Sequence, residues 1–231
     1  MDPRKPAAPG LEEISTRWPL IRDPVQFVMR YAPAIRKYLE AMLKNTHAED
    51  VTQDFLIRGL LRGFVRTDNL RGQFRHYLKR AVRNAALNHL QKRKPANLDA
   101  AVVLPDPHDA EGEAEADWIA EWRTCVLHRT FQALDHHERR TPDNLFHTVL
   151  RLSLDHADED SPALAARASA LAGRTISAAA FRQQLSRART RFAELLIEEV
   201  RQTLEQPTEA KIAEELADLG LLSYVRDFLP E

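Results

Sequence analysis

Two basic stretches and one acidic patch hold the residues of this chain that are able to do chemistry. From Arg58 to Lys94 eleven basic residues stand against a single acid, Asp68, leaving a local charge of +10 in a chain whose net charge is −1. Within that stretch Arg75, Lys79 and Arg83 recur at i, i+4 steps, and Lys92-Arg93-Lys94 follow. Guanidinium and ammonium groups so spaced neutralise phosphates. Phe74 and Tyr77 lie among them, and an aromatic face beside positive charge suits unstacked bases. The plainer reading is a solvated basic helix face over a core aromatic pair.

The second basic stretch runs from Ser161 to Ala193, where no acid occurs but Arg167, Arg174, Arg182, Arg187, Arg189 and Arg191 do. At helical spacing Phe181, Leu185, Ala188 and Phe192 point inward. Gln183, Ser186, Arg187 and Thr190 then point outward, where glutamine and arginine read base edges. A helical hairpin in a bundle is the bland alternative. The acidic patch is Asp50, Gln53 and Asp54, at i, i+3 and i+4 and hence on one helical face. Taken alone, it is best explained as acids placed against a helix dipole.

Catalysis is not expected. Cys125 sits in an apolar helical stripe and reads as core. His136-His137-Glu138 with His147 lacks the His-Glu-x-x-His spacing that places two metal ligands on one face. No Gly-rich phosphate loop or nucleophile elbow is present in the sequence. No metal or other cofactor is therefore expected.

These residues need helices to position them. Seven glycines in 231 residues, with abundant alanine and leucine, favour an all-α fold. A helix is predicted over Pro24 to Leu43, with Phe27, Val28, Tyr31, Ile35, Tyr38, Leu39 and Met42 inward. Thr46 and Glu49 form a capping box that opens a second helix. It carries Val51, Phe55, Leu56 and Leu60 inward. Gly72 precedes a third helix to about Gln91. Its inward face is predicted as Phe74, Tyr77, Leu78, Ala81, Val82, Ala85 and Asn88, with Arg75, Lys79 and Arg83 on the opposite side.

Pro95, Pro105 and Pro107 with Asp106, Asp109, Glu111, Glu113 and Glu115 read as a linker. Helical periodicity resumes at Asp117. Thr141-Pro142 is predicted to open a helix through Leu152, and Ser161-Pro162 a short one that ends at Gly173. Ser177 caps a long helix to about Gln206, stopped by Pro207. A short helix, a turn and a longer basic helix make a helix-turn-helix pattern. Thr208 to Glu231 reads as one more amphipathic helix with Ile212, Leu216, Leu219 and Leu222 inward. It would serve either as a lid over the helix-turn-helix or as a buttress for its long helix.

The expected organisation is therefore two small helical domains, 17–95 and 117–206. A flexible segment 1–16 precedes them, an acidic linker 96–116 joins them, and a C-terminal amphipathic helix 207–231 follows. One cysteine excludes an internal disulfide framework and fits a reducing compartment. No apolar run approaches the roughly 18–20 residues of a membrane span. Met1 to Pro6 contain no apolar signal core. A cytoplasmic protein without membrane contact is expected.

The residues at this point resemble a known family. Ala48-Glu49-Asp50-Val51-Thr52-Gln53-Asp54-Phe55 resembles the region 2.2 signature of bacterial sigma factors of the extracytoplasmic function (ECF) group. Phe74-Arg75-x-Tyr77-Leu78 and Arg83-Asn84-x-x-Leu87-Asn88-x-Leu90 look like the family's region 2.3–2.4 segment.

 The early Thr16-Arg17-Trp18-Pro19-Leu20-Ile21 and Arg71-Gly72-Gln73-Phe74-Arg75 look like the ECF-like subgroup of planctomycete-type bacteria. Ile176-Ser177-x-x-x-Phe181-Arg182-x-x-Leu185-Ser186-Arg187-Ala188-Arg189 resembles the region 4 recognition helix.

The resemblance implies roles. Asp50, Gln53 and Asp54 would dock on the clamp helices of the largest core RNA polymerase subunit. Arg75, Tyr77, Lys79, Arg80, Arg83, Asn84 and Asn88 would capture and open the −10 promoter element, with Tyr77 at the aromatic position. A pocket for the unstacked base would offset the few kcal/mol that flipping it costs. Arg174, Ser177, Arg182, Gln183, Ser186 and Arg187 would meet the −35 element, and this half would also contact the polymerase flap. The acidic linker would cross the polymerase, and an anti-sigma protein is a further implied partner. Two departures stand out. Gly173-Arg174-Thr175-Ile176 makes a longer turn than the family's Gly-Ile-Ser. Ala178-Ala179-Ala180 fill the tip of the recognition helix, where alanine offers a methyl group to thymine and little else.

Three functions stay open at this level. One is an ECF-type sigma factor directing promoter recognition, −10 melting and transcription initiation. The second is a core-independent helix-turn-helix regulator, binding half-sites about one helical turn apart. The third is a sigma-derived interaction module that no longer reads promoters.

Overall fold

The computed structural model of the chain describes residues 24–44, 47–62, 74–92, 107–141, 143–204 and 207–229. Every long element among them is an α-helix, and no strand occurs among the described residues. The all-α expectation therefore holds. No helix among the described residues is long and apolar enough to cross a membrane. The chain divides into two units, one of Met1–Cys125 with Gln202–Lys211 and one of Val126–Arg201 with Ile212–Glu231.

In the first unit α1 spans Pro24–Leu43, α2 spans Ala48–Arg62 and α3 spans Phe74–Lys92. The bounds of α1 are those its periodicity predicts. Tyr31, Ala34, Ile35, Tyr38, Leu39 and Met42 recur every three or four residues and are buried. Pro33 lies exposed inside α1 without ending it. The capping box at Thr46, the turn at Gly72 and the segment 1–16 lie outside the described residues.

Helix α4 runs from Pro107 to Arg140, so the acidic segment expected as a linker is helical from Pro107 onward. Its composition suggested solvation, but an i, i+4 ladder continues back through it: Ala114, Trp118 and Trp122 are fully buried. Acids at the start of a helix are also favoured by its dipole. The two tryptophans complete an aromatic core. Trp122 stacks on Tyr31 with centroids 4.4 Å apart and lies 6.1 Å from Phe74. Trp118 meets Tyr38 edge-on at 5.7 Å. Such rings carry much of a small core's apolar burial. Cys125 is buried beside them, and burial, with Glu121 second, pushes its thiol up to about 11. The Phe74 N–H donates to the Thr203 carbonyl at 3.3 Å, which pins the buried segment Thr203–Leu204 to the start of α3.

In the second unit α5 spans Phe146–Asp155, α6 spans Ser161–Ala172 and α7 spans Ala178–Arg201. Leu134 of α4, Val149, Leu150, Leu164, Ala165, Ala168, Phe181 and Ala188 form their core. The helix expected from Thr141-Pro142 begins instead at Phe146. Asp143 turns the chain at φ 61°, and the Asn144 side chain accepts from the Phe146 N–H at 2.8 Å. Glu138 then takes the Thr148 N–H and hydroxyl at 2.9 and 2.6 Å. Asp160, rather than Ser161, caps α6 by accepting from the Ala163 N–H at 3.0 Å. Gly173 ends α6 in the left-handed region at φ 64°. The Ser169 hydroxyl accepts from the Ile176 N–H at 2.8 Å, and Ser177 caps α7 through the Ala180 N–H at 3.1 Å.

The tail is not one helix. It forms α8 (Glu209–Asp218), α9 (Leu222–Val225) and a 3₁₀ turn, Arg226–Phe228. Gly220, at φ 66°, breaks it, with the Leu221 N–H returning to the Leu216 carbonyl at 2.7 Å. Ile212, Leu216 and Leu219 are buried as expected, whereas Leu221 takes the buried place expected of Leu222. Both α9 and the 3₁₀ turn pack on α7.

Candidate nucleic-acid and polymerase interfaces

The buried face of α3 is Phe74, Arg75, Leu78, Val82 and Ala86. This corrects the predicted phase. Arg75 is only 2% exposed and belongs to the core side, not to an outward basic stripe. Asn88, predicted inward, is exposed. The reason is the i, i+4 run Leu78-Val82-Ala86, which sets the buried direction about one residue away from the predicted wheel and puts Arg75 on the core side.

What remains outward is a narrower set. Arg80, Asn84 and Asn88 are exposed at i, i+4 steps, and His76 precedes them on the same stripe. Tyr77, three residues before Arg80, flanks that stripe. It is half-buried, its ring lies 6.3 Å from Phe74, and burial pushes its phenol above the ordinary value. Arg83 is half-buried. Lys79 is half-buried too and pairs with Glu115 of α4. Sequence reading missed His76, although its i+4 relation to Arg80 was visible.

Asp50, Gln53 and Asp54 are all exposed on α2, opposite the buried Ala48, Val51 and Thr52. The Thr52 hydroxyl donates to the Ala48 carbonyl at 2.7 Å. Asp54 accepts from Arg58 Nε at 2.9 Å, and Asp50 lies 3.6 Å from His47 Nδ1. Ile57 joins this face, 45% exposed. It was missed, and its signal was a large apolar residue three places after Asp54. An apolar group ringed by polar ones is a usual interface arrangement.

On the second unit Arg174, Ser177, Arg182, Gln183, Ser186 and Arg187 are all exposed, as are Ala179 and Ala180. Phe181 and Ala188 turn inward. The described part of the tail leaves these residues exposed and packs on α7. Ser177 is engaged as a cap. Arg174 holds Asp143, with Nη1 3.1 Å from Oδ1. Arg182 and Arg187 have no acidic partner among the described residues. The histidines do not gather: His147 faces Asp135 at 3.8 Å, and His137 lies against Phe146 with ring centroids 6.0 Å apart. Burial, then Arg191, lowers the His137 pKa. No metal-holding group occurs among the described residues.

Residues 27–95 match the family model described as Sigma-70 region 2. The match takes in nearly all of α1 and the whole of α2 and α3. Comparison with curated proteins and with solved structures gave no match. The region 2 match supports a sigma-70 family factor, a non-enzymatic class that works in transcription initiation with core RNA polymerase and promoter DNA.

Proposed function

We propose that this chain is a sigma factor of the ECF group, acting in the cytoplasm and directing core RNA polymerase to promoters. The observation that carries the reading is the region 2 match over a helix whose Asp50, Gln53 and Asp54 all face solvent. In this reading the α2 face, with Ile57 one turn beyond its acids, docks on the clamp helices of core. Tyr77, Arg80, Asn84 and Asn88 form the −10 surface of α3, Arg83 lies at its edge, and Arg75 holds the helix rather than the DNA. The helix-turn-helix of α6 and α7 is the region 4-like half. Arg182 and Arg187 anchor phosphates, Gln183 and Ser186 face base edges, and Arg174 stands at the turn. The exposed alanines at the tip leave little direct readout there. An anti-sigma protein would act by covering the α2 or α3 surface.

The test is co-elution with bacterial core RNA polymerase, followed by run-off transcription from genomic fragments. Binding with discrete transcripts is expected. Asp50→Arg is expected to abolish co-elution without changing the helical content of the chain. Unchanged co-elution of that variant would overturn the α2 assignment. Specific duplex binding by the free chain, with no affinity for core, would instead establish a core-independent regulator. Core binding without transcripts would favour an interaction module.

A further inference from the structure

We propose that Glu115 and Asp143 are built-in competitors of DNA phosphate, each occupying one cation at the edge of a DNA-facing surface within its own unit. The inference rests on reading α3 and α7 as DNA-binding elements. In the first unit Glu115 of α4 pairs with Lys79 of α3, thirty-six residues away. The neighbouring Ala114 is fully buried and Trp118 follows one turn later, so core packing holds the carboxylate beside the ammonium. In the second unit Asp143 receives Arg174 twice, Nη1 at Oδ1 (3.1 Å) and Nη2 at its carbonyl (3.3 Å). Gln184 Nε2 also reaches that carbonyl at 3.4 Å. Asp143 is itself 83% exposed, on the side of the helix-turn-helix turn.

The pairing is selective. Arg80 on α3 and Arg182, Arg187 and Arg189 on α7 are exposed and have no acidic partner among the described residues. A phosphate reaching Lys79 or Arg174 must therefore displace or share a carboxylate, whereas one reaching the others need not. Exposed ion pairs are worth little in water, so each acid trims affinity by about two- to fivefold rather than closing the surface. The acids thus set a low affinity of the free chain for DNA.

Fluorescence anisotropy of the full chain at low salt tests this, with oligo(dT) as the single-stranded probe and a mixed-sequence duplex as the second. Glu115→Gln is expected to tighten oligo(dT) binding about two- to fivefold and to steepen the log–log salt slope by about 0.7. Asp143→Asn is expected to do the same for the duplex, with a slope change of about 0.9. Amine-selective labelling of Lys79 should rise in Glu115→Gln, whatever the probe. In Lys79→Gln or Arg174→Gln backgrounds the respective changes should have no effect. An equal effect there would assign the gain to net charge and overturn the proposal. Unchanged affinity in both single variants would also overturn it, provided that Arg80→Ala weakens oligo(dT) binding and Arg187→Ala weakens duplex binding. If those two arginine variants change nothing, the DNA-binding reading itself has failed.

Discussion

The outward faces of α3 and α7 are both basic by sequence, yet the structure gives them different chemistry. On α3 the outward side carries two rings, two amides and an arginine: His76, Arg80, Asn84 and Asn88 are exposed and Tyr77 is half-buried beside them. On α7 the outward set is arginine, glutamine and serine beside two exposed alanines. The first set suits separated bases, where a ring stacks and an amide pairs. The second suits the backbone of an intact duplex, where charge acts without sequence. A count of basic residues hides this difference, because burial removes Arg75 from one face and ion pairing engages Lys79 and Arg174.

The largest effect is expected in the core of the first unit, away from both faces. Burial holds the Cys125 thiol at about 11 against an ordinary 9.0. Between those values the unfolded chain has lost a proton that the folded chain keeps, so stability falls as pH rises. The loss is of order 2–3 kcal/mol by the two-unit difference. Calorimetric melting of the wild type and of Cys125→Ala from pH 8 to about 11 should show the wild type losing more stability than the variant. Equal losses would mean that the fold does not hold the Cys125 proton.

Tyr77→Ala comes next, at about 1–3 kcal/mol if it stacks a base. Open-complex formation should drop roughly ten- to hundredfold, while co-elution with core is unchanged. Permanganate footprinting of the melted strand reads this directly. An effect of equal size on duplex binding would erase the distinction between the two faces. Arg187→Ala should have the smallest effect. It should weaken duplex binding several-fold on all sequences alike and reduce the salt slope by about 0.9. Anisotropy on two unrelated duplexes checks it, and a loss confined to one sequence would make Arg187 a base reader.

Much of the scaffold was legible. The periodicity of α1, the glycine that ends α6 and the serine that caps α7 are local signals, and local signals survive folding. The phase of α3 was not, because Ala81, Ala85 and Ala86 are small enough to fit either wheel and a buried arginine runs against the usual partition of charge. The start of α4 was misread because acidic composition outweighed a sparse ladder of one alanine and two tryptophans. Gly220 divided the tail where the apolar spacing ran on. The pairs Lys79–Glu115 and Arg174–Asp143 join residues over thirty positions apart, and no local pattern announces such contacts. The match to Sigma-70 region 2 agrees with the part of the sequence whose motifs were densest.

The stacked ring pair of Tyr31 and Trp122, with Trp118 beside it, has a practical consequence. The chain has three tryptophans, Trp18, Trp118 and Trp122, and none falls in the sequence of the second unit. Indole emission excited at the red edge is therefore a private signal of the first unit. Unfolding of the helix-turn-helix unit leaves that signal unchanged unless the first unit responds. The coupling between the two halves of the molecule is thus open to measurement with light alone, in the unmodified chain.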